Sequence, residues 1–279
     1  MKRFILNSEP DRNGTIRLGG EDYHYLVRVR RLAPGEFFPG LLPSGVKVSV
    51  KVLSVDSAVL TGMAAPEQPG AGEAPADQGN VLPGLPPLVL MQALPKGDKM
   101  DLIVRQAAEA GIGEIIPFVS EFSLPRLKTR GKPPQQGSAA HSSLAKAARW
   151  QRIVREARQQ SGSPVATRLC EPMPFSGLID RWGDIKSQYP GALGLLLHQI
   201  PLEQDSLHGY LDIIPELVAV AIGPEGGFSP SEVAAFLEAG FKPLTIGVNV
   251  LRTETAAVYA AAAIQIILWE RNSWEKSRK

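Results

Sequence analysis

Two glycine-rich segments near the C-terminus combine residue types that could bind a ligand and act on it. Residues 222–229 (IGPEGGFS) contain Glu225, and residues 244–256 (LTIGVNVLRTETA) contain Arg252 and Glu254. Each segment follows an apolar run of strand length and leads into a helical pattern. In an open α/β sheet, ligands bind at the carboxyl ends of the strands. We therefore expect both segments to build one pocket, lined by backbone amides and charged side chains.

Arg252 is the side chain in these segments that a structural role explains least well. Glu254, at the start of a helix, suits the positive end of the helix dipole, whereas a cation there does not. We therefore take Arg252 as a functional candidate, because a guanidinium cannot lose its charge in a protein. The alternative is a purely structural ion pair between Arg252 and Glu225 or Glu254.

Residues 223–227 do not match the common ligand-binding signatures. The spacing differs from the dinucleotide fingerprint, no Gly-Lys-Ser/Thr follows as in a Walker loop, and the chain has no G-x-S-x-G nucleophile elbow. A tight strand-to-helix turn that needs positive φ is the simpler alternative. The four histidines are isolated, so no metal site is predicted, and His198 is a minor candidate for the pocket rim.

The elements that must position these residues fall into two predicted regions. Residues 1–64 predict a small β-barrel with one helix at 21–32, and the Pro- and Gly-rich residues 65–87 predict a linker. Residues 88–279 alternate strands with helices, which predicts an α/β domain with a mostly parallel sheet covered on both faces. The predicted strands are 4–6, 14–18, 46–53, 58–61, 88–94, 115–119, 192–198, 217–222 and 243–248, and the predicted helices of the second region include 99–110, 143–160 and 254–270.

Local sequence signals refine three of these boundaries. Asp98 and Asp101 are spaced as a capping pair, Gly111 is placed to end the helix that they begin, and residues 229–232 (SPSE) form a capping box. The last helix is apolar nearly all round, which predicts burial by its own domain and by a partner subunit.

The charge distribution predicts a polyanionic partner. The net charge is only +2, but the two stretches between Asp22 and Glu36 and between Glu121 and Glu156 contain no acid. Local basic fields of this kind indicate nucleic-acid contact, and ordinary solvated faces are the alternative. The cations of these stretches are Arg28, Arg30, Arg31, Arg126, Lys128, Arg130, Lys132, Lys146, Arg149, Arg152 and Arg155.

Composition also bounds the compartment. The single Cys170 is incompatible with an intramolecular disulfide framework and suits a reducing cytosol. The start of the chain lacks the apolar core of a signal peptide, and no apolar run reaches the roughly 20 residues of a membrane span. We expect a soluble cytoplasmic protein without a membrane partner.

The two C-terminal segments together resemble those of the small-subunit (16S) ribosomal RNA uridine-N3 methyltransferases, which belong to the SPOUT class. Residues 94–101 (LPKGDKMD), residues 24–35 (HYLVRVRRLAPG) and the residues from Arg149 to Ser161 also follow the pattern of that family. The resemblance covers nearly the whole chain. Departures from the pattern are Arg30, Phe122, Gln159 and Ser163, where the family usually has Leu, Arg, Glu and Arg.

The resemblance implies a C-terminal SPOUT domain with a trefoil knot, a small N-terminal PUA-like RNA-binding barrel, and a homodimer that acts on small-subunit ribosomal RNA or the 30S subunit. It implies S-adenosylmethionine as cofactor, held by the turns after residues 198, 222 and 246. The implied cofactor-binding residues are Leu197, His198, Gly223, Pro224, Glu225, Gly226, Gly227, Ile246, Gly247, Asn249, Val250, Leu251 and Thr255. The implied RNA-binding residues are Arg3, His24, Arg28, Arg30, Arg31, Arg126, Lys128, Arg130, Lys132 and Arg149.

Methylation of uridine N3 suggests roles for three side chains. Arg252 is a candidate to stabilise the negative charge that deprotonation of N3 leaves on the ring carbonyl oxygens. Glu225 or Glu254 could accept the proton or bind the amino group of the cofactor. Two other functions stay open, namely a SPOUT methyltransferase for another RNA site and a catalytically silent RNA-binding assembly factor.

Overall fold

In a computed structural model, the chain folds around two sheets. The structure describes residues 3–67, 84–123, 138–199 and 202–277, and gives only the backbone for residues 138–145 and 272–277. Most of the predicted linker therefore lies outside the described residues.

The first sheet is curled and mostly antiparallel. Its strands are β1 (Phe4–Ile5), β2 (Thr15–Gly19), β3 (Phe37–Leu41), β4 (Lys47–Val55) and β5 (Val59–Pro66), in the order β1–β3–β4–β5–β2. The sequence pattern misses β3, because Pro39 and Gly40 are residue types that strands disfavour. Within the described residues, β1 and β2 form the two edges and do not pair with each other.

The helix predicted at residues 21–32 consists of two short segments of different pitch. α1 (Gly20–Tyr23) continues into a π-helical segment, His24–Val29, after which Arg31 adopts the left-handed conformation with φ 57°. Leu26 is buried in the core of the first sheet, whereas His24, Arg28, Arg30 and Arg31 are exposed. Single π-helical turns occur frequently at functional sites.

The second sheet is entirely parallel. Its strands are β6 (Leu88–Ala93), β7 (Glu114–Val119), β8 (Arg168–Leu169), β9 (Met173–Pro174), β10 (Ala192–Leu197), β11 (Leu217–Ile222) and β12 (Lys242–Leu244). The order is β12–β10–β11–β6–β7–β8, and β9 also pairs with β7. Every residue of β6 and β11 is buried, as expected for central strands covered on both faces.

Helices cover both faces of the second sheet. They are α2 (Lys99–Glu109), α3 (Ser138–Ser161), α4 (Phe175–Gln188), α5 (Leu207–Tyr210), α6 (Pro230–Glu238) and α7 (Thr253–Ser277). α2, α3 and α7 share one core, in which Trp150 and Ile264 are buried, and α4 and α6 share the other with Trp182 and Phe236. Within the described residues, no helix is both long and apolar enough to cross a membrane.

Two of the three local signals are confirmed. The capping box joins Ser229 and Glu232 through both of its hydrogen bonds, and Gly111 has φ 74° just after α2. The capping pair at Asp98 is wrong, because its side chain accepts no capping hydrogen bond. Asp101 instead accepts a hydrogen bond from Trp150 Nε1 at 2.9 Å and pairs with Arg149, so it joins α2 to α3.

The first sheet contacts the second region through the C-terminal half of α3. Arg155 donates to the buried carboxylate of Asp22 at 2.6 Å, and the Arg3 amide donates to the Gln159 carbonyl at 3.1 Å. A Cβ on Gly45 would lie 2.6 Å from the carbonyl oxygen of Pro164, so the two backbones touch there. Arg155 therefore forms an ion pair that links the two regions.

Candidate functional site

Three loops converge on one cleft at the carboxyl ends of β10, β11 and β12. β10 pairs with both other strands in parallel, so the three strands end at the same edge of the sheet. The cleft has a volume of ≈ 630 Å³, within the usual range for a small-molecule site. Ile222, Ile246 and Leu251 give it apolar walls, and backbone from all three loops lines it.

The loop after β11 is a tight turn that depends on glycine. Gly227 has φ 72°, and its amide donates to the Pro224 carbonyl at 2.9 Å. A Cβ on Gly223 would lie 3.3 Å from the carbonyl carbon of Gly227. The simple reading of residues 223–227 as a strand-to-helix turn is therefore correct in geometry, and the same turn also lines the cleft.

Glu232 fixes this turn to a neighbouring loop. Its carboxylate is buried and accepts hydrogen bonds from Ser120 Oγ at 3.0 Å and from the Glu121 amide at 2.9 Å, besides its bond within the capping box. Phe122 follows, and a Cβ on Gly226 would lie 3.1 Å from its Cβ. The chain therefore leaves β7 beside the glycine turn.

The loop after β12 begins earlier than the sequence pattern predicts. The predicted strand 243–248 ends at Leu244, and Val248 is 99% exposed because no neighbouring strand buries it. Thr245 donates to the His198 carbonyl at 3.2 Å, and its amide donates to Gln204 Oε1 at 2.7 Å. These bonds hold the loops after β10 and β12 together along one side of the cleft.

A buried polar chain joins the start of α7 to the sheet. Gln92 Nε2, on β6, donates to Thr253 Oγ1 at 3.0 Å, and Thr253 Oγ1 donates to the Gly223 carbonyl at 2.7 Å. Sequence reasoning missed both side chains. The available signal was Gln92, a single polar residue within an otherwise apolar strand.

Lys99 engages both acids of the cleft region. Its Nζ lies 2.8 Å from Glu225 Oε1 and 3.6 Å from Glu254 Oε2, while the Lys96 amide donates to Glu225 at 3.2 Å. The hydrogen bond to Glu225 raises the pKa of Lys99 above its ordinary value. Partial burial opposes ionisation of Glu225, but the bonds from Lys99 and from backbone amides outweigh it and lower its pKa. Both groups are charged at neutral pH.

Arg252 lines the cleft and is exposed. The suggested structural ion pair is wrong, because Glu225 and Glu254 pair with Lys99 instead. In the part of the chain that the structure describes, the Arg252 guanidinium makes no ion pair. Its carbonyl accepts from the Thr255 and Ala256 amides, which places the residue at the very start of α7.

Most of the residues expected to bind a cofactor line the cleft, and Gly226 and Thr255 do not. Gly226 faces Phe122, and Thr255 is an exposed residue in the first turn of α7. The expected residues that line the cleft are Leu197, His198, Gly223, Pro224, Glu225, Gly227, Ile246, Gly247, Asn249, Val250 and Leu251. The lining residues that were missed include Lys99, Gln199, Phe228, Thr245, Val248, Thr253 and Ala256.

The residues expected to bind RNA have different surroundings. His24, Arg28, Arg30 and Arg31 are exposed around the π-helical segment. Arg3 makes two 2.8 Å contacts to the Glu67 carboxylate, and Arg149 pairs with Asp101, so each of them has an ion-pair partner within the chain. The positions outside the described residues are Arg126, Lys128, Arg130 and Lys132.

Metal ligands are not clustered in the described residues, where no three His, Cys, Asp or Glu side chains are placed to hold an ion. The fold and the cleft together define an α/β protein with a candidate ligand site at the carboxyl ends of parallel strands. A family model for an RNA methyltransferase domain matches residues 83–265, and the chain belongs to this family.

Individual relatives narrow the comparison. The chain is 30% identical over 270 residues to the Synechocystis protein named ribosomal RNA small subunit methyltransferase E, covering 95% of this chain and 78% of the relative. It is 24% identical over 272 residues to the Bacillus subtilis protein of the same name, covering 95% and 96%. Both matches cover 95% of this chain, so they extend into the first sheet, which lies outside the matched family model.

Two solved structures share the fold. The Neisseria gonorrhoeae ribosomal RNA small subunit methyltransferase E, solved bound to S-adenosylmethionine, has a TM-score of 0.73 with 24% identity, covering 96% of this chain and 98% of that one. A candidate methyltransferase of Legionella pneumophila, solved with the same cofactor, has a TM-score of 0.69 with 25% identity, covering 95% and 97%.

Proposed function

We propose that this chain transfers the methyl group of S-adenosylmethionine to N3 of a uridine in small-subunit (16S) ribosomal RNA. Membership of the RNA methyltransferase family supports the reaction class. The observation that carries the proposal is the cleft itself, where glycine turns supply backbone amides and Arg252 is a charged side chain without an ion-pair partner among the described residues. Uridine N3 as the target rests on the resemblance of residues 222–229 and 251–256.

The cleft fits the proposed cofactor in size and chemistry. The backbone of residues 223–227 and 247–251 would hold it, with the apolar Leu251 and Ala256 against its non-polar parts and Gln199 and Thr245 near its polar groups. When bound, S-adenosylmethionine supplies an electrophilic methyl group on a sulfonium centre. The enzyme must then orient the uracil so that its N3 lone pair is in line with that group, and positioning of this kind supplies much of the rate.

Arg252 is proposed as the electrostatic catalyst. Loss of the N3 proton leaves negative charge on the two ring carbonyl oxygens of uracil, and a fixed cation near them lowers the energy of that anion. Because Lys99 occupies both acids, neither of them neutralises Arg252. The guanidinium is therefore available to the substrate.

Of the two acids, we propose that Glu254 accepts either the N3 proton or a hydrogen bond from the cofactor. Glu225 is held by Lys99 and by the Lys96 amide, and its lowered pKa makes it a weak base. Glu254 Oε2 is buried and accepts no hydrogen bond from the described residues, although Lys99 lies 3.6 Å away. Glu254 does not itself line the cleft, so a ligand N–H, whether from uracil N3 or from the amino group of the cofactor, would reach that oxygen once the side chain of Lys99, which does line the cleft, moves aside.

The remaining architecture is proposed on the same resemblance. We infer a SPOUT domain with a trefoil knot in residues 88–279 and a PUA-like barrel in residues 1–64. The bonds from Thr253 to Gly223 and from Thr245 to His198 support interleaving of the C-terminal loops, as a knot requires. An exposed apolar row on α7, formed by Tyr259, Ile266 and Trp269, supports a homodimer. We also infer that the protein works in the cytoplasm, where ribosomal RNA is methylated.

The test uses purified protein, small-subunit RNA and S-adenosylmethionine with a deuterated methyl group. Nucleoside mass spectrometry is expected to reveal deuterated 3-methyluridine. A different methylated nucleoside would indicate another target within the RNA methyltransferases. Calorimetric titration with S-adenosylmethionine completes the test, since RNA binding without cofactor binding would indicate an assembly factor.

A further inference from the structure

The outer face of the first sheet carries an exposed row of one aromatic, one basic and one thioether side chain. Phe37 on β3 is opposite Lys51 on β4, and Lys51 is opposite Met63 on β5. Phe37 is 62% exposed and Met63 38% exposed, whereas Phe38, next to Phe37, and Leu60, on the same strand as Met63, are buried in the core. Directly opposed residues of antiparallel strands share one face of the sheet. The three side chains therefore form one surface, which we call the Phe37 row.

The row is organised by contacts within the surface. Lys51 Nζ lies 5.8 Å from the centre of the Phe37 ring, which is a cation–π contact. With strands about 4.8 Å apart, the row is about 10 Å long, enough for one or two nucleotide bases. Arg17 on β2 is exposed and pairs in register with Thr61 of β5, two residues from Met63, so a second cation flanks the row.

The basic π-helical segment precedes the row in the chain. The chain runs from Arg31 to Phe37, and the Val52 amide donates to the Glu36 carbonyl at 2.8 Å, which extends the pairing of β3 with β4 toward Arg31. Exposed Arg28, Arg30 and Arg31 therefore lie between six and nine residues before Phe37 in the chain. Stacking faces beside a cationic track are the two features with which proteins bind single-stranded nucleic acid.

From this arrangement we propose that the Phe37 row is a stacking surface for unpaired bases of the RNA substrate. The proposal rests on the proposed function, because it specifies which part of an RNA the first sheet recognises. A second copy of the chain is the less suitable occupant, since lysine is depleted from the centres of protein interfaces and Lys51 is central to the row. Single-stranded RNA is complementary in both charge and stacking.

The test measures binding of the full-length protein to a fluorescein-labelled single-stranded RNA and to the same sequence in a perfect duplex, over a range of salt. Phe37→Ala is expected to weaken single-strand binding about tenfold, since stacking of a base on an aromatic ring contributes on that scale. The salt slope should stay unchanged because no phosphate contact is lost. Phe37→Trp should retain affinity, and duplex binding should not change.

Leu53→Ala is the matched control. Leu53 is 45% exposed on β4, two residues beyond Lys51, beside the irregularity between Val52 and Ser54, and outside the row. Its removal should change affinity less than twofold. The proposal is overturned if Phe37→Ala binds single strands as the wild type does, or if Leu53→Ala loses as much. A fall in dimer mass by light scattering in Phe37→Ala, with RNA affinity unchanged, would assign the face to chain–chain contact.

Failure of this proposal and failure of the proposed function can be told apart. If the wild-type protein forms 3-methyluridine and Phe37→Ala binds RNA normally, only the stacking surface is wrong. If the wild-type protein binds single-stranded RNA through Phe37 but neither binds S-adenosylmethionine nor methylates RNA, the proposed function is wrong.

Discussion

The cleft and the basic surfaces both carry charged side chains that the sequence predicts to be functional. The two regions differ in which of these side chains form ion pairs. At the cleft, Lys99 pairs with the two acids and Arg252 stays exposed without an ion pair to the described residues. Among the cations expected to bind RNA, Arg3 and Arg149 pair with Glu67 and Asp101. We expect a charge without a partner in the fold to be more available to a ligand than a paired one.

The cations outside the cleft therefore divide into two groups. The arginines around the π-helical segment are exposed, and we predict that they contact phosphates, whereas Arg155 joins α3 to Asp22 and holds the two regions together. Removing a cation of the first group should alter RNA binding, and removing one of the second should alter stability. The following variants separate these outcomes.

The largest effect is expected for Arg252→Ala. Loss of one preorganised electrostatic contact to a developing negative charge costs about 10²- to 10³-fold in turnover. Single-turnover methylation at saturating cofactor and RNA measures this loss, and calorimetry should give an unchanged affinity for S-adenosylmethionine. Turnover like that of the wild type would exclude Arg252 as the electrostatic catalyst.

The next effect is expected for Lys99→Met, which frees both acids. Glu225 would then be available to pair with Arg252, so turnover should fall while Lys99→Arg retains most of it. The Glu225 pKa is lowered from 4.5, so its contribution to stability is complete above that pH and is lost as pH falls through the folded value. The Lys99 pKa is raised from 10.5, so its contribution is complete below that pH and is lost as pH rises further.

Denaturant unfolding over a range of pH checks this directly. The stability difference between the wild type and Lys99→Met should be constant between the two ordinary pKa values and shrink outside them. A difference that does not depend on pH would mean that the ion pairs contribute nothing.

RNA binding should separate the two groups of arginines. Changing Arg28 and Arg31 together to Gln should lower the magnitude of the slope of log affinity against log salt by about 1.4, because each phosphate contact to a single strand contributes about 0.7. Arg3→Gln should leave the slope unchanged and lower stability by about 1 kcal/mol or less, as for a partly exposed ion pair. An equal loss of slope in both variants would contradict the division.

The smallest effect is expected at the glycines of the cleft. Gly247 has φ 78° with nothing near its Cβ position, so Gly247→Ala meets only backbone strain, which costs about 1 kcal/mol. Gly183 lies inside α4 with open space around it, and Gly183→Ala should be stabilising by about 0.5–1 kcal/mol. Denaturant unfolding compares the two. Equal effects would mean that the conformation of the loop does not require glycine at 247.

Sequence patterns predicted the central strands of the parallel sheet well because strands such as β6 and β11 are continuous apolar runs, and they missed the two-residue strands β8 and β9. They missed β3, which contains Pro39 and Gly40, and they extended β12 through Thr245 to Val248, where apolar residues line a cleft instead of pairing. Neither error could be avoided from local composition, since both depend on which strand lies alongside.

The glycine turns of the site could be predicted from the sequence, but the ion pairs of its charged side chains could not. Glycine turns at strand ends indicated the cleft, since positive φ at Gly227 and Gly247 needs that residue. Lys99 lies more than 100 residues before the acids that it contacts, and no spacing in the chain indicates that contact. Arg252 was identified correctly as a cleft residue, and its lack of an ion pair emerged only from the position of Lys99.

The most direct test of the central claim is nucleoside mass spectrometry of small-subunit RNA incubated with the protein and deuterated S-adenosylmethionine, run beside Arg252→Ala. We expect deuterated 3-methyluridine with the wild type and at least about a hundredfold less product with the variant. Full product from the variant, or methylation of any nucleoside other than uridine at N3, would contradict the assignment of this cleft and its arginine.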